Sequence, residues 1–147
     1  MRIYLDACCV NRLTDDQSQV RIREESEAIE YVLRTVRQGK SLWLISDVLI
    51  EEIERNPQLE RRRENRALLA WSSDTIQLGE GILKRAQELE KLGYGAFDAT
   101  HLASAEAGRA DVLLTTDNKF LRRAARGEGN PLVPVRNPIL WLEEVSI

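Results

Sequence analysis

Val112-Leu113-Leu114-Thr115-Thr116-Asp117 is a short apolar run that ends in a carboxylate, and Ile3-Tyr4-Leu5-Asp6 repeats the pattern near the start of the chain. Two further acids stand in similar positions: Glu52 after Val48-Leu49-Ile50 and Asp98 after Gly93-Tyr94-Gly95. Burying an unpaired carboxylate costs on the order of several kcal/mol or forces it to take up a proton. We therefore expect these four acids to meet a cation.

The composition limits the setting of such a site. The chain has 147 residues, of which 43% are hydrophobic and 31% are charged, so we expect residues 1–147 to form one domain with a single core. Its net charge of −3 excludes a generally basic nucleic-acid-binding surface, so a polyanionic partner must be held by a local patch or a bound metal. No apolar run approaches about 18 residues and no signal peptide is recognisable, so we expect a cytoplasmic protein without a membrane partner.

Strands alternate with helices along the chain. Short apolar runs predict strands at residues 3–5, 42–45, 111–115 and 133–135. Apolar residues at helical spacing predict helices over about 22–38, 82–92, 96–108 and 119–125, with others around Val48 to Ile53, from Pro57 to Trp71 and after Pro138. Either Ser46 or Asp47 can cap the helix that carries Glu52. Strands separated by helices imply right-handed crossovers and a parallel sheet covered on both faces.

In parallel sheets of this kind, ligands bind beyond the carboxyl ends of the strands. Asp6 and Asp117 directly follow their strands, and Glu52 lies one to two turns into the helix that leaves the second strand. Asp98 opens an alanine-rich helix, where the helix dipole favours a carboxylate. Four converging carboxylates repel one another unless a cation balances them, and oxygen ligands suit Mg²⁺ or Mn²⁺ better than zinc. The sequence thus predicts a metal site formed by these four acids, which we call the acidic quartet.

Each acid also has a structural interpretation. Asp98 can be only a helix cap, Asp117 only a turn residue, and Glu52 only part of a solvated face with Glu51 and Glu54. For any single acid this interpretation is favoured, because most acids in helix starts and loops are structural or solvated. The pattern of all four favours the metal site.

The pattern resembles the PIN domain family, a nuclease fold that includes VapC-like toxins of bacterial toxin–antitoxin pairs. Four segments, which together span essentially the whole chain, carry the resemblance: Ile3-Tyr4-Leu5-Asp6, Ile45-Ser46-Asp47-Val48-Leu49-Ile50-Glu51-Glu52-Ile53, Phe97-Asp98-Ala99-Thr100-His101-Leu102-Ala103-Ser104-Ala105 and Leu114-Thr115-Thr116-Asp117-Asn118-Lys119-Phe120. The third segment followed by the fourth is the most specific part. The resemblance implies a three-layer α/β fold with a central, mostly parallel sheet flanked by helices.

The resemblance also implies a function. It implies a Mg²⁺- or Mn²⁺-dependent endoribonuclease, the toxin of a toxin–antitoxin pair, with the acidic quartet as its catalytic residues and metal ligands. Glu52 is preferred to Glu51 because the acid of the family is typically followed by an apolar helix residue, here Ile53. The implied partners are RNA, an antitoxin protein and a second copy of the chain. The alternative is a catalytically weak PIN-like module that binds RNA or a partner without cutting.

Three tryptophans provide a second argument for the homodimer: Trp43, Trp71 and Trp141. We expect them to offer more apolar surface than a small core must use, and such surface is enriched in interfaces.

Two positions depart from the family pattern. Cys8 stands where the family usually has serine, threonine or asparagine, and where a dehalogenase-type phosphatase needs its second Asp. Lys119 stands where many members have an additional acid. Support of the metal site or contact with the substrate is expected from four polar or basic residues: Asn11, Thr116, Lys119 and Arg122. The arginines of residues 61–66 interleave with acids and are interpreted as a solvated face.

The cysteines and the histidine have structural interpretations. Cys8 and Cys9 are adjacent, which disfavours a mutual disulfide, and they are too few for a thiolate metal site. We interpret them as small buried packing residues. A thiol nucleophile would have only His101 as its imidazole partner. His101 itself is interpreted as a hydrogen-bonded helix residue rather than as a catalytic base.

Overall fold

A parallel sheet of five strands forms the centre of the computed structural model, which describes residues 1–145. The strands are β1 (Arg2–Leu5), β2 (Leu42–Ser46), β3 (Asp74–Ile76), β4 (Val112–Leu114) and β5 (Val135–Arg136). Their order in the sheet is β3-β2-β1-β4-β5, and every neighbouring pair is parallel. The carboxyl ends of all five strands therefore lie at one edge of the sheet, which we call the carboxyl edge.

Helices connect the strands and cover both faces of the sheet. They are α1 (Ala7–Arg12), α2 (Val20–Arg37), α3 (Asp47–Glu54), α4 (Leu59–Leu68), α5 (Glu80–Lys91), α6 (Ala96–Ala107), α7 (Asn118–Ala125) and α8 (Pro138–Glu144). A 3₁₀ turn at Leu69–Trp71 follows α4. The predicted three-layer α/β fold with a parallel central sheet is confirmed. Within residues 1–145, no helix combines the length and the apolar character that crossing a membrane requires.

Alternation along the strands builds two apolar layers. Ile3 and Leu5 of β1 pack in a layer with residues of α1, α2, α3 and α8, whereas Tyr4 packs on the other face with residues of α5, α6 and α7. The same alternation holds in β2 and β4. Both faces of the central strands are buried, which explains why these strands are continuous apolar runs in the sequence.

Two short elements were not predicted as such. β3 pairs with β2 at the edge of the sheet, but Asp74 and Thr75 are exposed, so this strand carries no apolar signal. α1 has only six residues, too few for a helical stripe of apolar positions. The strand predicted at 133–135 begins two residues later and is shorter, at Val135–Arg136. Of the two possible caps of α3, Ser46 is the one used, since its side chain accepts from the Leu49 N–H at 3.2 Å.

The tryptophans do not provide the spare apolar surface that we expected. Trp43 and Trp141 are 1% and 4% exposed and belong to the core. Only Trp71 is on the surface, half-exposed, with the Arg37 guanidinium 5.1 Å from its ring centroid. The core needs two of the three rings, so this argument for a homodimer was wrong.

Candidate active site

Asp6 lies at the carboxyl edge, between the ends of two central strands. It follows β1 directly, and its backbone N–H donates to the Leu114 carbonyl of β4 at 3.2 Å. Its side chain caps α1 by accepting from the Cys9 N–H at 3.1 Å. Asp6 is only 1% exposed, and this burial raises the pKa of its carboxyl group.

Asp117 lies at the same edge, where the chain leaves β4. Its side chain caps α7 by accepting from the backbone N–H groups of Lys119 at 2.8 Å and Phe120 at 3.3 Å. The Thr115 hydroxyl accepts from the Asp117 N–H at 3.1 Å, and a hydrogen bond from the same side chain favours the ionised form of Asp6. Thr115 therefore links two acids of the quartet. From the sequence, we expected such support of the site from its neighbour Thr116 instead.

The two adjacent glutamates of α3 have different surroundings. Glu52 is partly buried, and its Oε1 contacts Nε2 of His101. Glu51 is exposed and accepts from Arg55 at 2.7 Å in an ion pair within the helix. The structure thus turns Glu52 toward α6, which carries Asp98, and Glu51 toward solvent.

Asp98 lies in the first turn of α6, but it is not the cap of that helix, which begins after Gly95. Burial, together with the negative charges of Asp6, Asp117 and Glu52, raises the pKa of Asp98 from its ordinary 3.8 to about 7. The structural interpretation of Asp98 as a cap is therefore wrong. After burial, the charges of the other three acids contribute to its raised pKa, so these acids lie near Asp98.

Cys8 lies among all four members of the quartet. Burial raises the pKa of its thiol, and the charges of Asp6, Asp117, Asp98 and Glu52 contribute in that order. A thiol held protonated in this way is a poor nucleophile. Both ring nitrogens of His101 already have partners, Glu52 and the Tyr4 hydroxyl. Both observations disfavour a thiol nucleophile, and His101 is the hydrogen-bonded helix residue that we expected.

The donor set of the quartet fits a divalent cation. It consists of carboxylate oxygens whose mutual charge already raises the pKa of Asp98, and oxygen is the donor that Mg²⁺ and Mn²⁺ prefer. In the described residues the side chains do not form a ready cage of three or more ligands. Asp6 and Asp117 are turned to backbone N–H groups and Glu52 to His101. To bind a cation, these carboxylates would therefore have to coordinate it with their remaining oxygen lone pairs or give up some of these hydrogen bonds.

The residues predicted to support the metal site or to contact the substrate lie in different places: one beside α4 and the others at or near α7. Asn11 accepts from the Asn65 side chain at 2.9 Å, which turns its amide toward α4. Lys119 is exposed in the first turn of α7, which Asp117 caps, and Arg122 is exposed in the last turn of the same helix. Thr116 is buried, and its carbonyl accepts from Arg21 at 3.0 Å.

A polar cleft of about 330 Å³ opens beside Glu52, between the end of α1 and the loop that joins α3 to α4. Asn11, Asn56 and Gln58 bring amide groups to its wall. Its arginines, Arg55 and Arg61, are paired with Glu51 and Asp15. The cleft therefore combines amide groups with the acids Asp15 and Glu52 and with two arginines that are already paired.

Comparison with known proteins identifies the family. A family model described as PIN domain matches residues 3–126. The chain belongs to the PIN domain family. PIN domains are generally nucleases, hydrolases that use divalent metal ions. No curated protein matches the sequence significantly.

Two solved structures share the fold of this PIN domain. One is the crystal structure of VapBC2 from Rickettsia felis bound to a DNA fragment from their promoter, with 17% identity, a TM-score of 0.62 and coverage of 93% of this chain and 98% of that chain. The other is PAE2754 from Pyrobaculum aerophilum, with 15% identity, a TM-score of 0.57 and coverage of 98% of this chain and 88% of that chain. At these identities the similarity shows the fold.

Proposed function

We propose that this PIN domain is a Mg²⁺- or Mn²⁺-dependent endoribonuclease and the toxin of a toxin–antitoxin pair. The observation that carries the proposal is the convergence of four carboxylates at the carboxyl edge, where burial and the other acids raise the pKa of Asp98 to about 7. Such a cluster is costly without a cation to balance it. Stability alone does not explain why it is kept.

Asp6, Glu52, Asp98 and Asp117 would hold the metal. When bound there, a divalent ion lowers the pKa of a coordinated water and neutralises charge on the leaving oxygen of a phosphodiester. The chain itself keeps the carboxylates in place through the Cys9 N–H at Asp6, the N–H groups of α7 at Asp117 and His101 at Glu52. The Cys8 thiol is poorly suited to act as the nucleophile, because burial and the four carboxylates raise its pKa.

Single-stranded RNA suits the two sides of the quartet. Lys119 in the first turn and Arg122 in the last turn of α7 are exposed on the helix that Asp117 caps, where they can neutralise phosphates that flank the scissile bond. The polar cleft beside Glu52 suits a base rather than a phosphate, because Asp15 and Glu52 line it and both of its arginines are already paired with acids. Amide side chains commonly recognise the edges of unstacked RNA bases.

An antitoxin protein is the proposed partner. One structure with this fold is VapBC2 from Rickettsia felis bound to a DNA fragment from their promoter, which supports a toxin–antitoxin role for a chain of the same family. A short open reading frame adjacent to the gene would support the same assignment. A homodimer is proposed from the resemblance to the family alone, since the tryptophan argument is lost.

The alternative function is a PIN-like module that binds RNA or a partner without cutting. Cys8 favours it, because its protonated thiol stands among the acids where the family usually has a stronger hydrogen-bonding side chain. Metal dependence separates the two functions. We expect the purified protein to cleave RNA in Mg²⁺ or Mn²⁺ and to be inactive in EDTA, with activity restored when Mn²⁺ is added back.

Three outcomes of this experiment lead to different conclusions. Equal cleavage with and without EDTA would contradict the metal-dependent mechanism. RNA binding without cleavage, in protein shown by electron paramagnetic resonance to bind Mn²⁺, would favour the weak module. Binding of neither Mn²⁺ nor RNA would contradict both functions.

A further inference from the structure

A chain of buried hydrogen bonds ends at Glu52. The Tyr4 hydroxyl lies 2.5 Å from Ser46 Oγ and 2.6 Å from Nδ1 of His101, and Nε2 of His101 contacts Oε1 of Glu52. Tyr4, Ser46 and His101 are each at most 1% exposed. Of the four groups, only the Glu52 carboxylate reaches solvent.

One placement of protons satisfies every group in this chain. Ser46 Oγ already accepts from the Leu49 N–H at 3.2 Å, so its own proton can go to the Tyr4 oxygen. The Tyr4 proton then goes to Nδ1 of His101, and Nε2 donates to Glu52. Each group therefore donates to the next one, from Ser46 through Tyr4 and His101 to the Glu52 carboxylate.

The chain of hydrogen bonds closes into a ring through the backbone of α3. Ser46, the last residue of β2, caps α3, and that helix carries Glu52, so α3 joins the two ends of the chain. Tyr4 lies two residues before Asp6 on β1, and His101 lies three residues after Asp98 on α6. The ring therefore joins the three elements that bring Asp6, Glu52 and Asp98 together.

We propose that Tyr4 and His101 are positioning residues that fix the Glu52 carboxylate relative to Asp6 and Asp98 for binding a divalent cation. This inference rests on the proposed metal-dependent function. Hydrogen bonds from outer side chains orient metal ligands, and their loss typically costs about 10–100-fold in metal affinity or activity. A purely structural network would need no acid of the quartet as its last acceptor.

The Tyr4→Phe variant tests the inference, because it removes one hydroxyl and keeps the buried ring. We expect Mn²⁺ affinity, measured by electron paramagnetic resonance, to fall about tenfold. In RNA cleavage, kcat should fall with little change in KM, because neither residue is placed to touch the substrate. Tyr94→Phe is the matched control. Tyr94 is also buried, and its hydroxyl donates to the Glu128 carbonyl at 2.8 Å, away from the quartet.

Substitutions of His101 test the same chain independently of any folding defect of Tyr4→Phe. His101→Gln keeps an N–H donor for Glu52 and should retain most of the Mn²⁺ affinity, whereas His101→Leu should lose it about as much as Tyr4→Phe does. The double variant Tyr4→Phe/His101→Leu should bind Mn²⁺ about as weakly as either single variant, because both substitutions interrupt the same chain of hydrogen bonds.

The outcomes distinguish this inference from the proposed function. A parent protein that binds no Mn²⁺ would overturn both. A parent that binds Mn²⁺, together with folded Tyr4→Phe or His101→Leu protein of unchanged affinity, would overturn the positioning role alone. An equal loss of affinity in Tyr94→Phe would also overturn it, since the effect would then follow from stability.

Discussion

Glu25 and Asp6 are both buried carboxylates, but their surroundings are opposite. Glu25 is fully buried on α2 and accepts from Asn137 at 2.7 Å, from Arg12 at 2.9 Å and from Arg21 at 3.3 Å. Asp6 is 1% exposed, and the described residues provide it with no arginine or lysine ion pair. Its charged neighbours include the other acids of the quartet, of which Asp98 takes a raised pKa.

This difference shows how a structural acid can be told from an acid that awaits a ligand. Glu25 is balanced by the protein itself, and it joins α1, α2 and the cap of α8 through Arg12 and Asn137. At Asp6, burial raises the carboxyl pKa, and the opposing effects of His101 and of the Thr115 and Cys9 hydrogen bonds do not cancel that rise. A buried carboxylate therefore stabilises the fold in one region and opposes it in the other.

The largest expected effect concerns the catalytic role of the quartet. We expect Glu52→Gln to lower RNA cleavage by about a thousandfold or more, because residues that act as a unit lose nearly all function when one member is removed. Glu51→Gln is the matched control. Glu51 is turned about 100° around the helix and pairs with Arg55, so this variant should cleave RNA at nearly the parent rate. The reverse result would show that Glu51 belongs to the site and that Glu52 is structural.

The second effect concerns the stability of the Glu25 region. We expect Glu25→Ala to lower the free energy of unfolding by about 3–5 kcal/mol, because it leaves Arg12 without one of its two acidic partners in a mostly buried setting. Urea denaturation followed by circular dichroism measures this loss. Glu24→Ala changes an exposed acid on the same helix and should stay within about 0.5 kcal/mol of the parent. If Glu25→Ala were as stable as the parent, Glu25 would not stabilise the fold and would not differ from Asp6 in this respect.

The two regions also differ in how much of them could be predicted from the sequence. Asp6 and Asp117 follow apolar runs, and the carboxyl ends of parallel strands share one edge, so their meeting followed from the order of elements. The choice of Glu52 over Glu51 rested on the apolar Ile53, and the exposed ion pair of Glu51 agrees with it. These inferences needed only local patterns and the topology of the sheet.

Contacts between distant positions had no such signal. Tyr4 and His101 are 97 residues apart, and Tyr4 appeared only as part of an apolar run. Glu25 contacts Asn137 across 112 residues and was not singled out among the charges of α2. The strand β3 is polar and exposed, and it is identified by its pairing with β2 rather than by its composition. In each case the partner that gives the residue its role is absent from the local sequence.

The smallest expected effect is a gain in stability on removing an acid of the quartet, whereas removing Glu25 lowers stability. The folded-state pKa of Asp98 is about 7, above its ordinary 3.8, so the folded state binds this proton more tightly than the unfolded state does. The resulting stabilisation is fully present below about pH 4 and is lost as the pH rises through about 7. Asp98→Asn stays uncharged, so without metal it should be more stable than the parent at pH 8. A gain of about 1 kcal/mol would raise Tm by a few degrees in a domain of this size.

The pH dependence separates this charge effect from an accidental improvement in packing. In EDTA, the Tm difference between Asp98→Asn and the parent should shrink from pH 8 to pH 5, because the parent then carries a protonated Asp98 as well. Asp16→Asn, at an exposed acid of the loop before α2, should show no such change. A Tm difference that stays constant from pH 5 to pH 8 would mean that repulsion between ionised Asp98 and the other acids does not destabilise the parent. The contrast between the balanced Glu25 and the unbalanced quartet would then have lost its electrostatic basis.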